Sequence, residues 1–105
     1  MTVGAPVTFT ANTAANDTTI IKPTGTQSYM ITSLSVLNRN GSSDTAYIAL
    51  TDGTMIIDIC GNNNNTATTA SPTKYVITAN LWLITDISAG STACWFAATG
   101  IQLTT

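Results

Sequence analysis

Hydrophobic and polar residues alternate with a period of two through much of the chain, which is the pattern of half-buried β-strands. The clearest case is residues 29–50, YMITSLSVLNRNGSSDTAYIAL, where two alternating runs flank the polar segment NRNGSSD. Asn and Gly accept positive φ, and Asn, Ser and Asp side chains bond the nearby backbone, so this segment favours a turn. We therefore predict a strand–turn–strand hairpin here. One face of its first strand would carry Met30, Thr32, Leu34 and Val36.

Seven further short runs have strand character, which brings the number of candidate strands to nine. They lie at residues 6–10, 18–22, 55–60, 73–78, 81–84, 93–98 and 101–103. Two of them, LWLI and ACWFAA, are apolar on both faces, which is typical of strands covered by a second layer or by a partner. No segment has helical periodicity. Turn signals about every 8–12 residues favour one all-β domain over residues 1–105, an antiparallel sandwich or a barrel.

Two stretches lack the strand pattern and are candidates for contacts with a partner. Residues 1–6, MTVGAP, predict an extended N-terminal arm, and residues 62–72, NNNNTATTASP, predict a projecting loop. Such segments can add a strand to a partner or lie in its grooves, although they can equally be ordinary ends and loop tips. The candidate interface residues in them are Met1, Thr2, Val3, Gly4, Ala5, Asn62, Asn63, Asn64 and Asn65.

The composition is poor in charge, which narrows the classes of partner. Charged residues are 8% of the 105 residues, against about 25% in ordinary soluble domains. A surface of this kind suits a protein packed against other subunits, or one kept in solution by its hydroxyls and amides. Lys22, Arg39 and Lys74 are the only cations. Three scattered cations do not form a phosphate-binding patch, so we expect no nucleic-acid partner.

The residue types that most often carry catalysis are missing. Histidine and glutamate are absent, which removes the commonest general base and most transition-metal sites. Cys60 and Cys94 lie in apolar runs and are expected to be reduced, buried thiols, with a Cys60–Cys94 disulfide as the alternative. No signal peptide and no membrane-crossing segment is expected. We therefore expect no metal, no cofactor and no membrane association, and we predict that the protein is not an enzyme.

A few side chains remain that could carry function. Asp58 is an isolated acid in mid-strand, which would face solvent, pair with a cation or meet a neighbouring subunit. Asp58 and Asp86 would be the first carboxylates to suspect in a hydrolase. Trp95 is interpreted as core because it adjoins Cys94 and Phe96. Trp82 is interpreted as core or interface, and if it is exposed it could stack on a sugar.

Two segments together resemble the capsid decoration, or cement, proteins of tailed bacteriophages. These are ITSLSVLNRNGSSDTAYIALTDGT (residues 31–54), a strand that runs into a polar turn and a strand ending in Asp-Gly, and LWLITDISAGSTACWFAATGIQLTT (residues 81–105). The resemblance covers about residues 28–105 and is one of composition and turns. It implies a jelly-roll-like β-sandwich, often trimeric, that sits on junctions between capsomers.

The sequence thus leads to two expectations about function. The first is a virion structural protein on the outer capsid surface, assembled in the host cytoplasm, whose partners are the major capsid protein and further copies of itself, as a homotrimer. Asp58 and Trp82 join the arm and loop residues as candidate interface residues. The alternative is a carbohydrate- or receptor-binding β-module of a phage tail or fibre, which would need an exposed Trp82 or tyrosine.

Overall fold

A computed structural model describes residues 3–40, 44–88 and 92–104, and within these ranges the regular secondary structure is entirely β-strand. The prediction of an all-β chain is therefore confirmed. The strands are β1 (Pro6–Thr13), β2 (Thr19–Ile21), β3 (Ser28–Leu37), β4 (Ala46–Thr51), β5 (Ile56–Asn62), β6 (Ala67–Ala70), β7 (Tyr75–Ile77), β8 (Trp82–Ile87) and β9 (Cys94–Thr104).

The strands form two antiparallel sheets, as far as the structure describes the chain. One has the order β1-β9-β3, with β6 and β7 pairing successive parts of β3, and the other has the order β2-β8-β4-β5. The first strand thus pairs with the last, β2 with β8, β3 with β6 and β7, and β4 with β5. This is one long antiparallel hairpin rolled into two layers, the arrangement of a jelly roll. The predicted jelly-roll-like β-sandwich is confirmed.

The hydrophobic core lies between the two sheets and follows the strand alternation. Along β9 the side chains alternate between buried and less buried from Cys94 to Gln102. Phe96, Ile31 and Leu34 are fully buried at the centre of the core, and burial of each such side chain contributes about 1.5–3 kcal/mol. The core thus depends mainly on the five-stranded sheet for its large side chains.

The predicted hairpin over residues 29–50 is wrong, because β3 and β4 belong to different sheets. Their connection crosses the sandwich, and two buried asparagines hold it there. Asn38 Nδ2 donates to the carbonyl oxygens of Asp44 and Asn62, at 2.8 and 3.3 Å, and Asn38 Oδ1 accepts from Asn40 N–H at 3.0 Å. Asn40 bonds the backbone of Thr92 through both its amide nitrogen and its oxygen. The side chains of Asn38 and Asn40 thus join the connection between β3 and β4 to the end of β5 and to the segment before β9.

The predicted face of β3 is also partly wrong. Tyr29 and Ile31 are buried in the core, and Met30 is only half-buried. The pairing of β3 with β9 shifts between Ile31 and Ser33, and this β-bulge moves the alternation by one residue. Gly100 lies opposite Ile31, where a Cβ atom would collide with the carbonyl oxygen of Met30. The close approach of β3 and β9 therefore requires a glycine.

The predicted loop over residues 62–72 is shorter than expected. Residues 67–70 form β6, which pairs with the end of β3, and the exposed turn is confined to residues 63–66. Small threonine and alanine side chains can extend a sheet at its edge without filling a core, so the lack of a hydrophobic pattern was misleading here. Asn62 holds the turn through its Nδ2, which donates to Thr66 O and Thr68 Oγ1.

The N-terminal residues that the structure describes run along β9. Gly4 N–H donates to Gln102 O at 2.6 Å and Gln102 N–H donates to Ala5 O at 3.0 Å, so the ladder begins before β1 does. Met1 and Thr2 lie outside the described residues. Both cysteines are free and buried, which confirms the prediction of reduced thiols, and burial raises the pKa of the Cys60 thiol.

Candidate functional site

The outer face of the five-stranded sheet carries no charged side chain in its described strands, and we call it the uncharged face. Its outward positions follow from the register with the core residues. They are Thr8, Thr10, Asn12, Met30, Ser33, Ser35, Leu37, Ala67, Thr69, Val76, Trp95, Ala97, Thr99, Ile101 and Leu103. A face of hydroxyl, alanine and exposed apolar side chains can be dehydrated with little electrostatic cost.

Three large apolar side chains are exposed on the uncharged face. Trp95 is 46% exposed, Leu37 39% and Val76 47%. The prediction that Trp95 belongs to the core is wrong, because its neighbours Cys94 and Phe96 point inward and strand alternation turns Trp95 outward. Trp95 and Leu37 are cross-strand partners beside a shallow, mostly apolar cleft of about 150 Å³. Strand periodicity within residues 93–98 was the signal that could have placed Trp95 outside.

The charged residues collect around the other sheet. Six of the eight charged residues of the chain, which has three Lys or Arg and five Asp, lie on it or within two residues of its strands. They are Asp17, Lys22, Asp44, Asp52, Asp58 and Asp86, whereas Arg39 and Lys74 lie beside β3 and β7 of the five-stranded sheet. The outer face of the four-stranded sheet therefore carries more charge than the uncharged face, although Met55, Ile56 and Ile57 are exposed at the start of its β5.

Asp58 and Asp86 meet on the outer face of the four-stranded sheet, and we call them the acidic pair. Asp58 of β5 lies opposite Ala49 of β4, and Asp86 of β8 lies opposite Tyr47 of β4. The two aspartates are therefore on opposite sides of β4. The short side chain of Ala49 lets the two carboxyl groups hydrogen-bond across the strand. Much of Asp58 is exposed. Even so, partial desolvation of its carboxyl group, its hydrogen bond with Asp86 and the charge of Asp86 together raise the pKa of Asp58 to about 7.

The acidic pair differs from the carboxyl pair of a glycosidase. The two catalytic carboxyl groups of those enzymes stand about 5 Å apart or more, to leave room for the sugar or for water. Carboxyl groups that hydrogen-bond to each other are closer than that and share a proton. The acidic pair thus holds a proton on the surface of the folded protein. We therefore expect the stability of the protein to depend on pH.

We expect the protein to be more stable at pH 5 than at pH 8. In the folded state Asp58 keeps its proton up to about pH 7, whereas in the unfolded chain it loses it near pH 4. The stabilisation is therefore complete below about pH 4 and is lost as the pH rises through 7. Solvent screening limits it to about 1 kcal/mol. Urea denaturation at the two pH values measures the difference.

The variant Asp58→Asn keeps a hydrogen-bonding side chain and removes the shared proton. It should lose most of the stability difference between pH 5 and pH 8, whereas the control Asp44→Asn, at a carboxylate outside the pair, should keep it. An Asp58→Asn protein with the wild-type difference would show that the pair does not titrate in this range.

The structure distributes the predicted interface residues over three places. Asp58 and Trp82 belong to strands of the four-stranded sheet. Val3, Gly4 and Ala5 lie near Gln102, at one end of β9, and Asn62, Asn63, Asn64 and Asn65 lie near the other end, where Thr66 O accepts from Asn38 N–H. Residues 95 and 102 of a strand are roughly 24 Å apart, so arm and loop do not form one contact site.

Among the described residues there is no group of three or more His, Cys, Asp or Glu side chains that could hold a metal ion. The described part of the chain also contains no helix that is long and apolar enough to span a membrane.

Comparisons of the chain with protein-family models, with curated proteins and with solved structures return no match. The surfaces of the molecule that could carry a function are the uncharged face on one sheet, and on the other sheet the acidic pair and a groove lined by Trp82 and Ile84.

Proposed function

We propose that the protein is a non-enzymatic structural protein of a virion, which binds the outer surface of a phage capsid and stabilises the shell. The single observation that supports this most is the uncharged face, with Trp95, Leu37 and Val76 exposed on it. The assignment to a virion depends on the resemblance of residues 31–54 and 81–105 to capsid decoration proteins.

The uncharged face has the size and the shape that docking requires. Four strand positions about 4.8 Å apart, each about 30 Å long, give roughly 600 Å², which is the lower end of the roughly 600–1,000 Å² that each partner buries in a stable interface. Serine, threonine and alanine side chains project little from the sheet, and Trp95 and Leu37 provide the kind of anchors that dominate binding energy. A flat partner surface could therefore cover most of this face.

In this proposal the partner at the uncharged face is the major capsid protein, and further copies of the chain associate as a homotrimer. Stabilisation comes from apolar and uncharged polar surface buried across the boundary between capsomers, so that separating two capsomers would expose it again. No covalent step is needed. The N-terminal arm, in which Val3 is exposed, would add a second, smaller contact with the shell.

We expect the purified protein to sediment with empty shells of its own virus and to have the mass of a trimer at micromolar concentration. Deleting residues 1–3 leaves the backbone bond from Gly4 N–H to Gln102 O in place, so the fold and the solution mass should persist. Its affinity for the shell should fall about tenfold, or 1.4 kcal/mol. Sedimentation velocity gives the mass, and co-sedimentation with increasing shell concentration gives the affinity.

The control for the deletion is Thr19→Ala, a change at an exposed residue of the four-stranded sheet, which should leave shell affinity unchanged. A protein that stays monomeric at high concentration and remains in the supernatant with shells would contradict the proposed function.

A further inference from the structure

A groove of about 240 Å³ lies on the outer face of the four-stranded sheet, and we call it the Trp82 groove. Pockets for drug-sized ligands span roughly 300–1,000 Å³, so this volume suits a smaller molecule. Its apolar surface comes from Trp82, Ile84 and Ile56, and its polar surface from Asp17, Thr19 and Thr54. The groove thus combines one aromatic wall with several hydrogen-bonding groups.

The indole ring of Trp82 is held in place at the wall of the groove. Lys22 Nζ lies 3.9 Å from the ring centroid, a cation–π contact that fixes the ring. Lys22 does not line the groove, so this contact leaves the groove open. Gly53 also lies next to the ring, and a Cβ atom there would be 3.4 Å from Trp82 Cη2. The absence of a side chain at Gly53 keeps space beside the ring.

The loop that carries Asp17 is tied to β8 and holds its shape. Asp17 N–H donates to the backbone oxygen of Thr85 at 3.0 Å, and Thr18 N–H donates to Thr85 Oγ1, also at 3.0 Å. Ile87 N–H donates to Asn16 Oδ1 at 2.8 Å. Asp17 itself has a φ of 57°, a left-handed conformation that a side chain tolerates only at some cost. The loop therefore presents the Asp17 carboxylate at the groove in a fixed position.

The opposite loop is fixed by its own hydrogen bonds. Asp52 Oδ1 accepts from Thr54 N–H and Met55 N–H, both at 2.8 Å, and these two bonds lower the pKa of Asp52. Thr51 Oγ1 accepts from Gly53 N–H at 3.0 Å and donates to Met55 O at 2.7 Å. Both walls of the groove are thus formed before a ligand arrives, which reduces the entropy lost on binding.

Three polar side chains in the groove are available to a ligand. Within the part of the chain that the structure describes, the Asp17 carboxylate and the Thr19 and Thr54 hydroxyls have no hydrogen-bond partner, whereas the Thr51 hydroxyl is already occupied. A carboxylate accepts two or more hydrogen bonds, and each hydroxyl can donate and accept. The groove therefore offers mostly acceptors, next to an aromatic wall.

We propose that the Trp82 groove binds a single pyranose ring of a neutral carbohydrate. The C–H face of a pyranose is apolar and packs on an aromatic ring, and its hydroxyls supply the donors that Asp17, Thr19 and Thr54 lack. A phosphate or carboxylate ligand is disfavoured by the Asp17 charge at the groove. This proposal goes beyond the proposed function and is independent of it, because the groove and the uncharged face lie on opposite sides of the sandwich.

The test is a titration with the methyl glycosides of glucose, galactose, mannose and N-acetylglucosamine, followed by two-dimensional ¹⁵N–¹H NMR. The chain has two tryptophans, and the variant Trp95→Phe assigns the two indole N–H signals. We expect at least one glycoside to shift the Trp82 signal with saturation and a Kd of about 1–10 mM, the range for so small a ligand, while the Trp95 signal stays in place.

The same substitution at two different aspartates, one at the groove and one outside it, gives the matched comparison. Asparagine adopts left-handed φ as readily as aspartate, so Asp17→Asn removes the charge without straining the loop, and it should weaken binding about tenfold or more. Asp44→Asn lies outside the groove and should bind as the wild type does. The proposal is overturned if no glycoside shifts the Trp82 signal with saturation at up to about 50 mM, or if Asp17→Asn binds as tightly as the wild type.

Discussion

Replacing Asn38 by alanine is expected to lower the free energy of unfolding by about 3 kcal/mol, out of roughly 5–15 kcal/mol for a chain of this length. Asn38 is fully buried. Its amide bonds two backbone carbonyls, those of Asp44 and Asn62, and its oxygen accepts from Asn40 N–H. Alanine would remove all three bonds, and each buried polar group that is left unsatisfied costs about 1–3 kcal/mol.

The control for this change is Asn64→Ala. Asn64 is exposed in the turn after β5, and it is bonded there through its backbone: its N–H donates to Asn62 Oδ1 and its carbonyl oxygen accepts from Thr66 N–H. Replacing its side chain should therefore change the stability by no more than about 0.5 kcal/mol. Urea denaturation followed by tryptophan fluorescence measures both. A loss below about 1 kcal/mol for Asn38→Ala would show that the buried amide network does not hold the corner between β3 and β4.

Local sequence pattern predicted where most strands lie but not how they pair. Alternation identified the two runs around residues 38–44, and turn residues correctly separated them. Whether such a turn closes a hairpin or crosses between sheets depends on partners distant in sequence, here Asn62 and Thr92. Those contacts exist only after β5 and β9 are in place, so no local signal could reveal them.

The side-chain faces were predicted well only where the strands are regular. The bulge near Thr32 reverses the alternation in β3, and it depends on the close approach of Gly100 from β9. For Trp95 the sequence did contain the signal: the buried neighbours on both sides require an outward tryptophan. The prediction missed this signal, because a strand with apolar residues on both faces was interpreted as fully buried.

The candidate sites were predictable as residue types but not as assemblies. Asp58, Asp86 and Trp82 each stood out in the sequence. Their grouping on one outer face follows from the strand order β2-β8-β4-β5, which sequence alone does not specify. The uncharged face could be predicted only in part: the low charge was visible in the composition, but its segregation to one sheet was not.

The second large effect is expected from a charge placed on the uncharged face. Thr10 is exposed on β1, opposite Ala97, and lines the cleft beside Trp95. Thr10→Asp puts a carboxylate there whose short side chain cannot bend away to solvent. If the major capsid protein covers this face, the carboxylate must be desolvated without a partner, at a cost of several kcal/mol. Shell affinity should fall about 100-fold, or 2.7 kcal/mol.

The matched control is Thr19→Asp, the same substitution at an exposed threonine on β2, opposite Ile84 on the other outer face. Co-sedimentation of both variants with capsid shells, after denaturation curves have shown that each is folded, tests the central claim most directly. The account predicts that Thr10→Asp stays in the supernatant while Thr19→Asp pellets as the wild type does. Wild-type binding by Thr10→Asp would contradict it.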